Sequence, residues 1–301
     1  MNNILTKQNE EINLQRLAAQ RELYSSAKRT QFVQLLFTII IPIGLSLLGM
    51  FFPETRIAGI TFGLFMMVIN MVLFERMIKF KREKAAKIQE VFDCEVLEMP
   101  ISPLKSVDGI TIEDVLTNYH AHSKIESNVE KIRDWYSREI EGLPIEVARL
   151  ICQRSNCSWD IGLRKKFLRI ISILFGTVVI GLVLTGICQK LKFIEILFVL
   201  SALIPFFTYC IRAYFENHDS IIRLKGLMKF SDDLWKESLN SPNNDGLTDS
   251  SRRLQDEIFS NRSRNALIPD KLYDFKRDKD EELMNKTVAQ LSKEYKLSKV
   301  K

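Results

Sequence analysis

A chain of 301 residues with 46% hydrophobic and 27% charged side chains is too apolar for a disordered polymer and too charged to lie wholly in lipid. Its net charge of +6 would suit nucleic acid or an anionic bilayer, and the placement of the charges favours the bilayer. Lys28 and Arg29, then Arg76, Lys79, Lys81 and Arg82, then Arg164, Lys165, Lys166 and Arg169 all stand just outside apolar tracts.

The first element is EEINLQRLAAQRELYSSAKR, rich in helix formers, with Leu14, Leu17, Ala18 and Tyr24 near one face. It is expected to run into the first apolar tract as one long helix. About thirty polar residues precede that tract, so no cleavable secretory signal is expected. Four tracts follow along the chain: 31–52, 57–74, 170–188 and 193–211. Each approaches the roughly 20 residues a helix needs to cross about 30 Å of hydrocarbon. PETR joins the first pair and QKLK the second, links so short that each pair must form an antiparallel hairpin.

Between the hairpins, FDCEVLEMPIS from Phe92 alternates in polarity before a proline, the pattern of a short strand or extended link. TIED at Thr111–Asp114 is a capping box that opens a helix. Ile125, Val129, Ile132, Tyr136 and Ile140 then recur at helical spacing up to a stop at GLP, Gly142–Pro144. After the fourth tract, Ile221, Leu224, Met228 and Trp235 continue a helix as far as the turn-rich SPNNDG. Two further helices are expected in the tail, separated by ALIPD around Pro269.

The fold class expected is an all-α membrane protein: four transmembrane helices in two hairpins, with cytoplasmic helical middle and C-terminal regions. Lys and Arg near the spans place both termini and the middle region on the cytoplasmic side. The divisions are an N-terminal amphipathic helix at 1–30, hairpins at 31–76 and 170–212, a helical domain at 77–169 and a C-terminal helical region at 213–301.

Reactive chemistry is sparse. There is no Gly-rich phosphate loop, HExxH or GxSxG motif. His120 and His122 are two apart and diverge on a helix. Cys152 and Cys157 lie five positions apart without a second Cys/His pair, which fits small buried apolar residues better than zinc or a disulfide. No catalytic residue, metal or cofactor is expected. Within the spans, Asn70 suits a hydrogen bond between helices. Thr177 and Thr185 on the third span, and Ser201 and Thr208 on the fourth, fit either close helix packing or a water path. Glu195 sits two residues inside the fourth span, where an acid at the interface is less costly than one at the midplane.

Four stretches, QNEEINLQRLAAQRELYSSAKR, FDCEVLEMP, ARLICQRSNCSWDIGLRKKF and RLQDEIFSNRSRNALIPDKLYDFKRDKDEELM, stand in order around the two hairpins. Together they resemble the SMODS-associated four-transmembrane effector family of bacteria, over nearly the whole chain. The resemblance implies antiphage defence in the bacterial inner membrane. A companion nucleotidyltransferase makes a cyclic oligonucleotide messenger, and the effector damages the bilayer as a homo-oligomer, with no DNA or RNA duplex involved. A messenger of that kind needs guanidinium groups and aromatic faces. Arg133, Trp135, Tyr136, Arg138, Arg149, Arg154 and Trp159 supply them near the third span, although helix packing with a solvated basic rim accounts for the same residues. The competing readings are a non-conducting membrane-anchored scaffold or signal transducer and, with less support, a membrane enzyme.

Overall fold

A computed structural model describes residues 2–103, 108–188, 192–240, 246–274 and 277–299. All regular structure among them is helical. In chain order the helices are α1 (Ile4–Lys7), α2 (Glu11–Leu35), α3 (Ile41–Phe51), α4 (Arg56–Ile69), α5 (Glu75–Val96), α6 (Ile112–Ser123), α7 (Glu126–Glu130), α8 (Ile145–Cys188), α9 (Phe193–Asn240), α10 (Leu247–Arg264), α11 (Asp270–Asp274) and α12 (Arg277–Ser298).

Four helical rods are long and apolar enough to cross a membrane: Glu11–Gly49, Pro53–Val96, Ile145–Cys188 and Val199–Asn240. Each is longer than a span. At 1.5 Å per residue the 44 residues of α8 reach about 66 Å, and crossing the hydrocarbon uses only about 20 of them. The amphipathic N-terminal segment does continue into the first tract as one rod. The first hairpin turns at Pro53–Thr55, where Arg56 donates from Nε to the Gly49 carbonyl at 2.7 Å. A side chain at Gly49 would meet Arg56 Cγ at 3.0 Å, so glycine permits this closure. The second connector, apart from Lys192, lies outside the described residues.

The first rod packs against both the second and the fourth, and the fourth packs along the third. Two turns in the first hairpin are widened to π-helix, Leu36–Ile40 and Asn70–Phe74, closed by Ile41 N–H to Leu36 O and Glu75 N–H to Asn70 O. Pro42 lacks an N–H to donate one turn back, which accounts for the widening just before it. Asn70 makes the contact expected of it, accepting from Gln34 Nε2 at 2.6 Å across the two rods.

Outside the apolar spans, α1, α2, α5, α8, α9, α10, α12 and the loop between α7 and α8 share one core, with Leu17, Phe92, Tyr136, Ile151, Leu224, Leu254 and Val288 among its residues. Each fully buried side chain of this type contributes about 1.5–3 kcal/mol. Because one core draws on the segments before, between and after the hairpins, all three lie at the same end of the four rods. The Thr111–Asp114 capping box forms as expected, and Lys84 clamps the same Asp114 at 2.6 Å.

Two local expectations are corrected. FDCEVLEMPIS is not a strand. Its first half completes α5, where Phe92 and Val96, one turn apart, both enter the core. The amphipathic pattern from Ile125 to Ile140 does not form one helix either. Only Glu126–Glu130 and a 3-10 turn at Arg138–Ile140 are helical, and Asp134 between them takes a positive φ of 50°. The N-terminus holds this irregular stretch. Gln8 accepts from Tyr136 N–H at 2.7 Å and donates to the Tyr136 carbonyl at 3.3 Å, and Asn9 donates to Asp134 at 2.9 Å.

Charges are buried between α5 and α10. Glu90, fully buried, accepts from Arg252 at 2.6 Å and Gln255 at 2.8 Å. Asp93, also fully buried, accepts from Arg262, from Tyr136 Oη at 2.8 Å and from Gln255 at 2.9 Å. Removing one member of such a network leaves the other charge without compensation. Glu90→Leu is therefore expected to destabilise the protein in detergent by about 3–5 kcal/mol. The double variant Glu90→Leu with Arg252→Met should recover most of the loss in chemical unfolding, and equal stability of the two variants would contradict the pairing. Asn70→Leu is expected to cost about 0.6 kcal/mol, read as a small fall in melting temperature. No change would remove the Gln34 contact as a stabilising one.

Candidate functional site

A cavity of about 580 Å³ lies in the body next to the spans. This falls within the 300–1,000 Å³ usual for small-molecule sites. Its walls come from α2 (Tyr24 and Lys28), α5 (Gln89), α8 (Cys152 to Arg164), α10 (Asn261 and Arg262), α12 (Met284 and Val288) and the loop that carries Trp135 and Tyr136. Tyr24, Trp159 and Leu224 stand on α2, α8 and α9, three helices that continue into spans.

Arg262 anchors the deep side. Burial works against its charge, but the carboxylate of Asp93 outweighs that, so its guanidinium is held above the ordinary value. Burial, then Asp93, pushes the Tyr136 hydroxyl well above the usual phenol range. It therefore stays protonated and donates to Asp93, while accepting from Asn156 Nδ2 at 3.3 Å. The Tyr24 hydroxyl is pushed up to about 12, chiefly by burial and against the pull of Arg262. Also on the cavity wall, Arg164 meets Asp160 at 3.0 Å and donates to Asn217 at 2.6 Å. This arginine, which reads in sequence as a charge flanking the membrane, is 5% exposed and belongs to the interior. Trp135 is covered on one face by the Arg21 guanidinium, 5.8 Å from the ring centre.

Five basic and four acidic side chains line the cavity. With so small a surplus, the guanidiniums deep inside are already neutralised, and an anion entering must exchange for a carboxylate. The rim is tied by ion pairs between α12 and α8 (Asp280 with Lys166) and between α11 and α2 (Asp270 with Lys28, 2.5 Å).

Of the residues singled out from sequence, Arg133, Trp135, Tyr136 and Trp159 line this cavity. The other three stand elsewhere. Arg138 is exposed and pairs with Asp134 at 2.7 Å, Arg154 pairs with Asp232 at 2.8 Å, and Arg149 caps the end of α5 by donating to the carbonyls of Leu97 and Glu98. Tyr24, Gln89, Arg164 and Arg262 were missed. The available signal was polarity on an apolar face: Gln89, Glu90 and Asp93 interrupt the core side of α5.

Thr177, Thr185, Ser201 and Thr208 are all exposed on the single chain, which leaves their faces to lipid or to a second copy. The Thr177 and Thr185 hydroxyls donate back to Ile173 and Gly181 of their own helix. The Glu195 side chain lies outside the described residues. Cys152 and Cys157 are buried free thiols on the cavity wall, and burial raises the pKa of both.

A curated relative from Bacillus cereus (strain VD146), named a probable CBASS effector molecule, is 28% identical over 302 residues, covering 96% of this chain and 98% of its own. No solved structure matches. The sequence profile of the SMODS-associating 4TM effector domain matches residues 2–291. With four membrane-length rods on one helical body and a match across nearly its whole length, the chain belongs to the SMODS-associating 4TM effector family.

Proposed function

We propose that this protein is an antiphage effector of the inner membrane that a cyclic oligonucleotide, made by a companion nucleotidyltransferase, switches from a closed to a membrane-disrupting state. The relative's name as a probable CBASS effector supports the defence role. In this reading both termini and the helical body face the cytoplasm, where the messenger is made. The observation that carries it is the cavity beside the spans, whose walls include three helices that also cross the bilayer.

The messenger's phosphates bind Arg262 and Arg133, and its bases stack on Trp135, Tyr136 and Trp159. Each hydrogen bond to a charged group contributes about 1.5–3 kcal/mol. Each stacked base adds about 1–3 kcal/mol. Moving an equilibrium from 1:99 to 99:1 needs only about 5.5 kcal/mol of preference for the open state. Contacts to two phosphates and two bases, about 5–12 kcal/mol together, cover that preference where most of them form in the open state alone. Phosphate entering beside Arg262 competes with Asp93, so binding loosens the tie between α5 and α10 and repositions the rods. The outward Thr177, Thr185, Ser201 and Thr208 faces meet neighbouring copies, because four spans are too few to enclose a wide channel.

Purified protein in liposomes loaded with a self-quenched dye tests this reading. Leakage is expected to rise on adding the matching cyclic oligonucleotide, and Trp159→Ala is expected to shift the concentration for half-maximal leakage upward by about tenfold. Liposomes that stay tight while the nucleotide binds would favour a non-conducting scaffold.

A further inference from the structure

The fourth rod, α9, is apolar on two opposite faces. Its inner face, with Cys210, Ala213, Ile221 and Leu224, is buried against the rest of the protein. On the outward face Leu197, Ser201, Ile204, Thr208, Ile211, Phe215, His218 and Ile222 follow one another at alternating steps of four and three residues, and all are exposed. This is an unbroken heptad spacing, the period that keeps one edge of a helix turned toward a partner helix. Lipid accounts for only part of it. The fourth apolar tract ends at Ile211, and Ile222 stands eleven residues further along, about 16 Å. The headgroup layer on one side of a bilayer is about 5–8 Å deep. Ile222 therefore lies in water, where it is 56% exposed, with Phe215 below it 59% exposed.

We infer that this stripe of α9 pairs with the same stripe of a second copy of the chain. The inference deepens the proposed function and rests on its placing of copies against the Ser201 and Thr208 face, but it involves no messenger. Copies in one membrane share an orientation, so a two-fold axis along the membrane normal makes the two α9 helices parallel and sets each seam residue opposite its counterpart. The chemistry of the seam changes where its solvent changes. In hydrocarbon, apolar contact gives no driving force between helices, and small or hydroxylated side chains allow close approach; every seventh position there holds Ser201 and Thr208. In water, apolar burial does drive association, and the same series continues as Phe215 and Ile222. The charges beside this outer part of the seam are Arg212, Glu216, Asp219 and Arg223, two of each sign, so a copy of a chain with net charge +6 is not repelled here. Lys225 and Lys229, both exposed, take the next two positions of the heptad, and like charges facing each other end the contact there.

The test uses the full chain in membranes of the expressing cells, with Cys188→Ser so that the four remaining thiols are all buried. Single cysteines are added and oxidised with copper phenanthroline. Phe215→Cys, His218→Cys and Ile222→Cys are expected to give disulfide-linked dimers, whereas Glu216→Cys and Arg223→Cys, turned away from the seam, should stay at the background of the parent. Seam yields no greater than those of the two controls overturn the pairing. Phe215→Lys added to Ile222→Cys places two cations across the seam at an exposed position, and it is expected to abolish the dimer band while the melting temperature holds. A band that survives it overturns the proposal as well. Either failure leaves the leakage assay of the gated reading to stand on its own, and seam dimers in a protein that no cyclic oligonucleotide makes leak would keep the pairing and remove the gating.

Discussion

An α-helix satisfies its own backbone hydrogen bonds, so α8 can leave a water-soluble core and enter hydrocarbon without a break in its ladder. Once it does so, its two ends cannot move independently. The same holds for the rod from Glu11 to Gly49 and for α9, and these three helices meet at one cavity. A side chain such as Trp159 therefore belongs at once to the cavity wall and to a helix about 66 Å long. In the proposed reading no separate linker has to carry information from the cavity to the spans, because the two are made of the same helices.

What sets the position of those levers is a set of buried charges. Hydrophobic contact alone would hold α5 against α10 in several registers, since apolar packing is not directional. Asp93, reaching Arg262, Tyr136 and Gln255 at once, ties α5, α10 and the Trp135–Tyr136 loop to one arrangement. Buried charges of this kind are weak contributors to net stability, and their better-attested use is to fix register or act in a switch. The displacement of Asp93 by a phosphate proposed above would be such a use.

The spans were legible because uniform apolarity over about 20 residues is a one-dimensional signal. So were the capping box at Thr111, the turn at Pro53 and the break around Pro269, each set by a few adjacent residues, whereas SPNNDG, apart from Gly246, lies outside the described residues. The loop at Trp135 was misread as a helix because its apolar residues do fall at helical spacing. The force that unwinds it comes from Gln8 and Asn9, more than 120 positions away. The cavity was half visible for the same reason. Trp135 and Trp159 advertise themselves by type, whereas Arg262 is one arginine among many until Asp93, 169 positions earlier, is folded against it. Arg154 and Arg149 illustrate the converse: chemistry suited to a phosphate, spent on Asp232 and on the end of α5.

The direct measurement is a distance between the far ends of two rods, with and without a ligand in the cavity. Spin labels at Thr55 and Ile187, in a chain otherwise free of cysteine and diluted with unlabelled protein in liposomes, report on the ends of the first hairpin and of α8. Addition of a cyclic oligonucleotide shown by calorimetry to bind should shift the distance distribution by several ångströms, and Arg262→Ala should abolish the shift. A bound nucleotide with an unchanged distribution would contradict the coupling of cavity to spans.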